Sequence, residues 1–267
     1  MAISSSIPRV AKECYEPMKE LLDALRASKT LEINAELFMP GMRILNLAPH
    51  PDDFDVAAVT FRRMVTAECD IQLSVLTSGA AGVLDSYCQP PTWEKKSTTR
   101  EGEQLKSCAR FGLPPEQVDF LRIPEAEDGE LLEDEYTRMI FREQFRQYNP
   151  DVVVIPHGSD SNSGHRRTYR LVMEQINHLN HPVALFCCLD PKTLEIDPNG
   201  YTWFGESEAD WKRSLLRCHG SQQQRNLDTR GVGFDDRILT LNAESANKYG
   251  SVAPYVEAFE VRIFNHG

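Results

Sequence analysis

The stretch DVVVIPHG, Asp151 to Gly158, constrains the fold more than any other part of the chain. Its Val-Val-Val-Ile run has no polar face, so the strand it forms must be covered on both sides. Three further apolar runs share this character: RILNLAPH from Arg43, IQLSVLTSG from Ile71 and PVALFCCL from Pro182. VDFLRIP, from Val118, reads as another short strand. Helical periodicity fills the gaps, over Asp55 to Glu68, Ser97 to Phe111, Tyr136 to Tyr148 and His165 to Leu179. Strands alternating with helices imply right-handed crossovers. The expected fold is therefore α/β, a single Rossmann-like domain with a mostly parallel sheet covered by helices on both faces. We place this domain over residues 41–267, with VEAFEVRIF as a closing strand. Residues 1–40, which contain the periodic YEPMKELLDALRAS, read as an N-terminal helical extension. Such sheets bind ligands beyond the carboxyl ends of their strands.

The net charge of −11 argues against nucleic-acid binding and against docking on an anionic membrane surface. It favours a neutral or cationic small-molecule substrate. Seven cysteines, an odd number with no CxxC pair, read as free thiols in a reducing compartment. No run is apolar enough to span a membrane, and the first residues lack the core of a signal peptide. The expectation is a soluble, cytoplasmic chain.

Chemistry collects at two strand ends. LNLAPHPDDFDVAA places His50, Asp52 and Asp53 just beyond one strand, and His157 and His165 follow the Val-rich one. In a parallel sheet both loops open on the same edge. A His-x-x-Asp spacing lets an imidazole and a carboxylate converge on one ion, and one more histidine would complete three protein ligands. A neighbouring carboxylate could then act as general base toward the water that the metal activates. An Asp-Asp pair alone would more simply be a capped helix start.

PHPDD after a strand resembles the AHPDD-type signature of the PIG-L/LmbE-like metal-dependent de-N-acetylases, and the likeness continues in order along the chain. TSGAAGVLD resembles the family's Thr-Asp-Gly-x-x-Gly strand end, and TTREGEQLKSCARFGL its Arg-x-x-Glu helix. PDVVVIPHGSDSNSGHRR resembles the strand bearing the last ligand, KRSLLRCHGSQ the late helix, and YVEAFEV the Tyr-x-Glu-x-Phe ending. The likeness spans about Arg43 to Val261. It implies one divalent metal, most plausibly zinc, held by His50, Asp53 and His165. It also implies Asp52 as general base and Arg100 as a substrate-binding cation at the mouth. Relatives carry His-x-x-His at the last ligand. The register that makes His165 the ligand puts Asn162 at the first histidine; the other register would leave Thr168 in the ligand place. Asn162 can donate a hydrogen bond to an oxyanion but cannot transfer a proton. Either Asp52 both takes and returns the proton, or His157 reaches in.

The resemblance implies removal of an acetyl (acyl) group from an amide nitrogen, with an N-acetylglucosamine-type conjugate as substrate. Two alternatives stand beside it: an amidohydrolase acting on a non-sugar substrate, and a catalytically impaired carbohydrate-binding relative. Relatives are often multimers, so a homo-oligomer is open.

Overall fold

The computed structural model describes Leu21, Asp23, Ala24 and residues 30–250 and 252–264. Most of the expected N-terminal helix, including Cys14, lies outside the described residues. Eight strands form one sheet: β1 (Leu31–Glu32), β2 (Arg43–Ala48), β3 (Asp70–Val75), β4 (Val118–Phe120), β5 (Val152–Pro156), β6 (Val183–Cys188), β7 (Gly200–Phe204) and β8 (Tyr255–Phe264). Their order is β1-β7-β8-β6-β5-β2-β3-β4. Every pairing is parallel except those of β8, which runs antiparallel between β6 and β7. The helices are α1 (Asp53–Val56), α2 (Ala58–Thr66), α3 (Trp93–Phe111), α4 (Glu135–Tyr148), α5 (Ser163–Ile176), α6 (Glu206–Leu216), α7 (Gly220–Arg230) and α8 (Phe234–Lys248).

The apolar runs build a core on both faces of the sheet. Along β5, Val152 and Val154 enter one cluster with Phe54, Phe61 and Phe186, whereas Val153 and Ile155 enter a second. That second cluster holds Phe141 of α4 and Leu171 of α5. Alternate side chains thus reach opposite layers, which accounts for the missing polar face. The six described cysteines are free. Burial pushes the Cys108 thiol up to about 12, with Asp55 adding to it, as suits a packing residue.

The chain leaves β2 to one side through β3 and β4, and β5 pairs with the other edge of β2. The crevice beyond β2 and β5 is therefore the topological switch point, where open α/β sheets place ligands. Both loops singled out in the sequence open into it.

Two elements differ from expectation. The helix read over Asp55 to Glu68 is broken at Ala57 into α1 and α2. The break is held by a buried ion pair. Glu257 of β8 accepts from the backbone N–H groups of Val59 (3.0 Å) and Thr60 (2.8 Å) and from the Thr60 hydroxyl (2.6 Å). Lys212 of α6 donates to Glu257 (2.7 Å), Asn242 (3.0 Å) and the Val56 carbonyl (2.6 Å). The carboxylate thus satisfies the free N–H groups that open α2, and the ammonium spends all three hydrogens. The second difference lies near the C-terminus, where DTRGVGFDDR, whose glycines and aspartates suggest a longer irregular segment, is only a short junction. It separates α7 from α8, and β7 precedes both.

Lys212 is fully buried and Glu257 nearly so, so removing one partner strands a charge. Lys212→Met should therefore lower unfolding stability by about 3–5 kcal/mol, measured by urea denaturation.

Candidate active site

The turn after β2 presents His50, Asp52 and Asp53 at the crevice. Asp53 Oδ2 accepts from the His50 backbone N–H (2.8 Å) and lies 3.1 Å from His50 Nδ1. The turn closes with Asp52 at φ 118°, ψ −25°, a left-handed conformation that few residues other than Gly, Asn and Asp accept. Strain of this kind collects at functional positions. Gln104 of α3 accepts from the Asp52 N–H (2.9 Å), and Arg100 Nη2 lies 3.3 Å from Asp52 Oδ2.

Across the crevice, Asn162 caps α5, its side-chain oxygen accepting from the His165 N–H (3.1 Å). This places His165 on the first turn, wholly buried. Asp160 holds His165 Nδ1 at 3.0 Å, so Nε2 faces Asp53 Oδ1 at 3.4 Å. That buried Nε2 makes no hydrogen bond. A carboxylate steering one nitrogen while the other stays free is the usual arrangement of a ligating histidine. Ligand atoms of His50, Asp53 and His165 lie within 4.8 Å of one another, and all three residues are buried. Asp160, His165 and Asp190 also cluster, but there His165 would use the Nδ1 already held by Asp160. The unpartnered Nε2 favours the His50/Asp53/His165 group, and its two imidazoles and one carboxylate suit a borderline divalent cation.

The electrostatics agree. Burial disfavours charge at all three residues, yet each stays charged. His50 is raised to about 9 by Asp53 and Glu130, and His165 to about 10, chiefly by Asp53 and Asp160. Asp53 is held well below the usual carboxylate range by His165 and His50. The carboxylates thus keep two imidazoles cationic, a positive charge that a divalent ion would supply instead.

The structure brings His50, Asp52, Arg100 and Asn162 to one small cleft of about 60 Å³. His157 does not line it. Its Nε2 lies 3.0 Å from Glu260 of β8, and its Nδ1 accepts from the Ser159 N–H. Thr168 is buried on α5, its hydroxyl without a partner. Arg100 pairs with neither of its helix neighbours. Glu103 instead accepts from the backbone N–H (2.6 Å) and hydroxyl (2.6 Å) of Ser221, and Glu101 pairs with Arg122. Asp55 is not the helix cap its position suggests, since it is wholly buried against His219 and Ser107.

Sequence reasoning missed four cleft residues. Glu130, in the acidic stretch EAEDGELLEDE whose charges would ordinarily face solvent, reaches His50 Nε2 (2.5 Å) and accepts from Asn162 Nδ2 (2.7 Å). A side chain at Gly164 would collide with that carboxylate. Lys192, Gln222 and Arg225 complete the lining. Only Gln222, in the His-x-Ser-Gln stretch, lay in a quoted motif.

An eight-stranded α/β sheet with a cation-capable His/Asp/His group at its switch point defines a class of Rossmann-like chains with a strand-end centre. Within that class, the family model described as GlcNAc-PI de-N-acetylase (PIG-L) matches residues 45–176. Over those residues the chain resembles the PIG-L family. No curated protein matches the sequence significantly. Among solved structures it is similar to an N,N'-diacetylchitobiose deacetylase from Pyrococcus horikoshii, at 18% identity and a TM-score of 0.67, over 97% of this chain and 94% of that one. A 4-carboxy-2-hydroxymuconate hydratase from Pseudomonas putida gives 18% identity and a TM-score of 0.64, over 82% and 96%. A teicoplanin deacetylase in its zinc-inhibited form gives 14% and 0.60, over 85% and 100%. At these identities the likeness is one of fold. No helix among the described residues is long and apolar enough to cross a membrane.

Titrated with zinc as the test cation, Asp160→Asn should bind about 10–100-fold more weakly than the parent chain while the fold survives, as calorimetry and circular dichroism would read. His165→Gln, which removes the free nitrogen itself, should abolish stoichiometric binding.

Proposed function

We propose that the chain is a metal-dependent de-N-acylase that hydrolyses the acetamide of an N-acetylglucosamine-type conjugate. The observation that carries this reading is the unpartnered His165 Nε2 facing Asp53 beside His50, with Asp52 one residue from the cluster and lining the same cleft. The PIG-L match supplies the substrate class. His50, Asp53 and His165 would hold the cation, most plausibly zinc. When bound, it would polarise the amide carbonyl and lower the pKa of water toward about 7.

Asp52 takes the proton of the attacking water. Its backbone is pinned by Gln104 and its carboxylate is steadied by Arg100, so it meets the water without reorganising. Asn162 offers its amide hydrogens to the developing oxyanion, exchanging the Glu130 contact for the substrate. Because an amide cannot give up a proton, Asp52 also returns the proton to the departing amine. His157 stays turned toward Glu260 and takes no part in this scheme. Arg100, in the cleft wall, binds one of the substrate's oxygens. The assignment covers the chain as a small-molecule hydrolase, in the reducing compartment that its free thiols suit.

Asp52→Asn is the cleanest test, because Asn accepts the same left-handed backbone. Acetate release from N-acetylglucosamine conjugates should fall about 10²–10⁴-fold with zinc still bound. Full activity in that variant would remove Asp52 from its role.

A further inference from the structure

Three cations from separate elements line the cleft: Arg100 of α3, Lys192 from the loop after β6, and Arg225 of α7. The carboxylates beside them are already engaged. Glu130 bonds His50 and Asn162, and Asp52 pairs with Arg100. Among the described residues, neither Lys192 nor Arg225 makes a side-chain ion pair or hydrogen bond. Arg100 is only 2% exposed, and its Nε and Nη1 have no partner. Buried guanidinium hydrogens without acceptors are costly, and their position in the cleft wall asks for an acceptor from outside.

The SGAAG loop is shaped for this wall. A Cβ at Gly79 would stand 3.2 Å from Arg100 Nε, and one at Gly82 3.1 Å from Arg225 Nη1. The two glycines therefore leave room for the two guanidinium groups. Burial lowers the pKa of Arg225, and Arg230 and Arg100 lower it further. Arg237 is lowered the same way, by burial and then Arg230, with Arg225 contributing. In a chain of net charge −11, this one cleft gathers three cations: despite burial, Asp53, Asp190, Asp52 and Asp160 hold the Lys192 ammonium charged, yet none of them pairs with it directly. A divalent ion beside them would add to the positive potential.

We propose that this cationic wall is an anion subsite: the substrate carries a carboxylate or phosphate group that Lys192 and Arg225 bind, with the open edge of Arg100 beside them, while its acyl amide lies over His50, Asp53 and His165. The proposal rests on the de-N-acylase reading for the amide half and on the cation geometry for the anion half. It replaces the neutral or cationic substrate that net charge alone suggests. Arg225 can grip such a group with two parallel hydrogen bonds, and Lys192 adds a point charge.

The test uses the zinc-loaded full chain with three probes: N-acetylglucosamine 1-phosphate, the carboxymethyl glycoside of N-acetylglucosamine, and its neutral methyl glycoside. Acetate release and calorimetric binding are measured separately. At least one charged probe should show kcat/KM about tenfold or more above the neutral one, with the better of the two naming the anion. Arg225→Gln and Lys192→Gln should each cut the charged-to-neutral ratio by about tenfold, and Arg225→Lys should restore much of it. Equal kcat/KM and equal affinity across the probes would overturn the subsite. With no acetate released from any probe, tighter binding of a charged probe that is lost in Arg225→Gln keeps the subsite and removes the reaction. Equal binding without turnover removes both.

Discussion

The Lys212–Glu257 ion pair governs how the candidate site is presented. α1 is a single turn, too short to hold itself, and it begins at Asp53. Its direction is set where it stops, because the Val56 carbonyl is taken by Lys212 and the next helix starts on the Glu257 carboxylate. Thr60 and Thr202, with hydroxyls 2.7 Å apart, tie the same point to β7. The antiparallel strand β8, third from one edge of the sheet, supplies the carboxylate. β8 carries Glu257 back beneath α2 and so fixes the turn that bears the histidine and both aspartates. A second carboxylate works in the same way, since Glu103 of α3 caps the start of α7, the helix that brings Arg225 to the cleft.

Much of this was legible in the sequence, for definite physical reasons. Strands buried on both faces leave continuous apolar runs, so β2, β3, β5 and β6 could be read directly. The same topology placed His50, Asp53 and His165 on one edge before any side chain was seen. The break between α1 and α2 left no local trace, because the groups that fill it come from Lys212 and Glu257, far along the chain. Asn162 was noticed as a departure from a motif, and its caps and contacts supply a local reason for an amide there. Glu130, Lys192 and Arg225 were invisible for a different reason. Each sits in a polar stretch that resembles solvated surface, and only folding turns it inward. Net charge, in turn, sums over a surface and does not describe a cleft.

The fold decides where chemistry occurs and leaves open which chemistry it is. A hydratase and deacetylases share this fold at identities of 18% or less. What distinguishes one chain from another is the arrangement of charges above the strand ends. Here Arg100, Lys192 and Arg225 line the same cleft as His50, Asp52 and Glu130. A ligand entering it would meet both signs of charge within one small space.

The backbone of Asp52 carries a consequence for how this chain can change over time. Its left-handed conformation confines the position to a very short list of residues, and the nearest neutral member, Asn, fits without rearranging the turn. The proposed base is thus one substitution from removal at almost no cost to folding. A lineage released from the need for turnover could lose it while keeping its melting temperature, its cation-binding group and its cationic wall. Such a descendant would be a binding protein indistinguishable in shape from its parent.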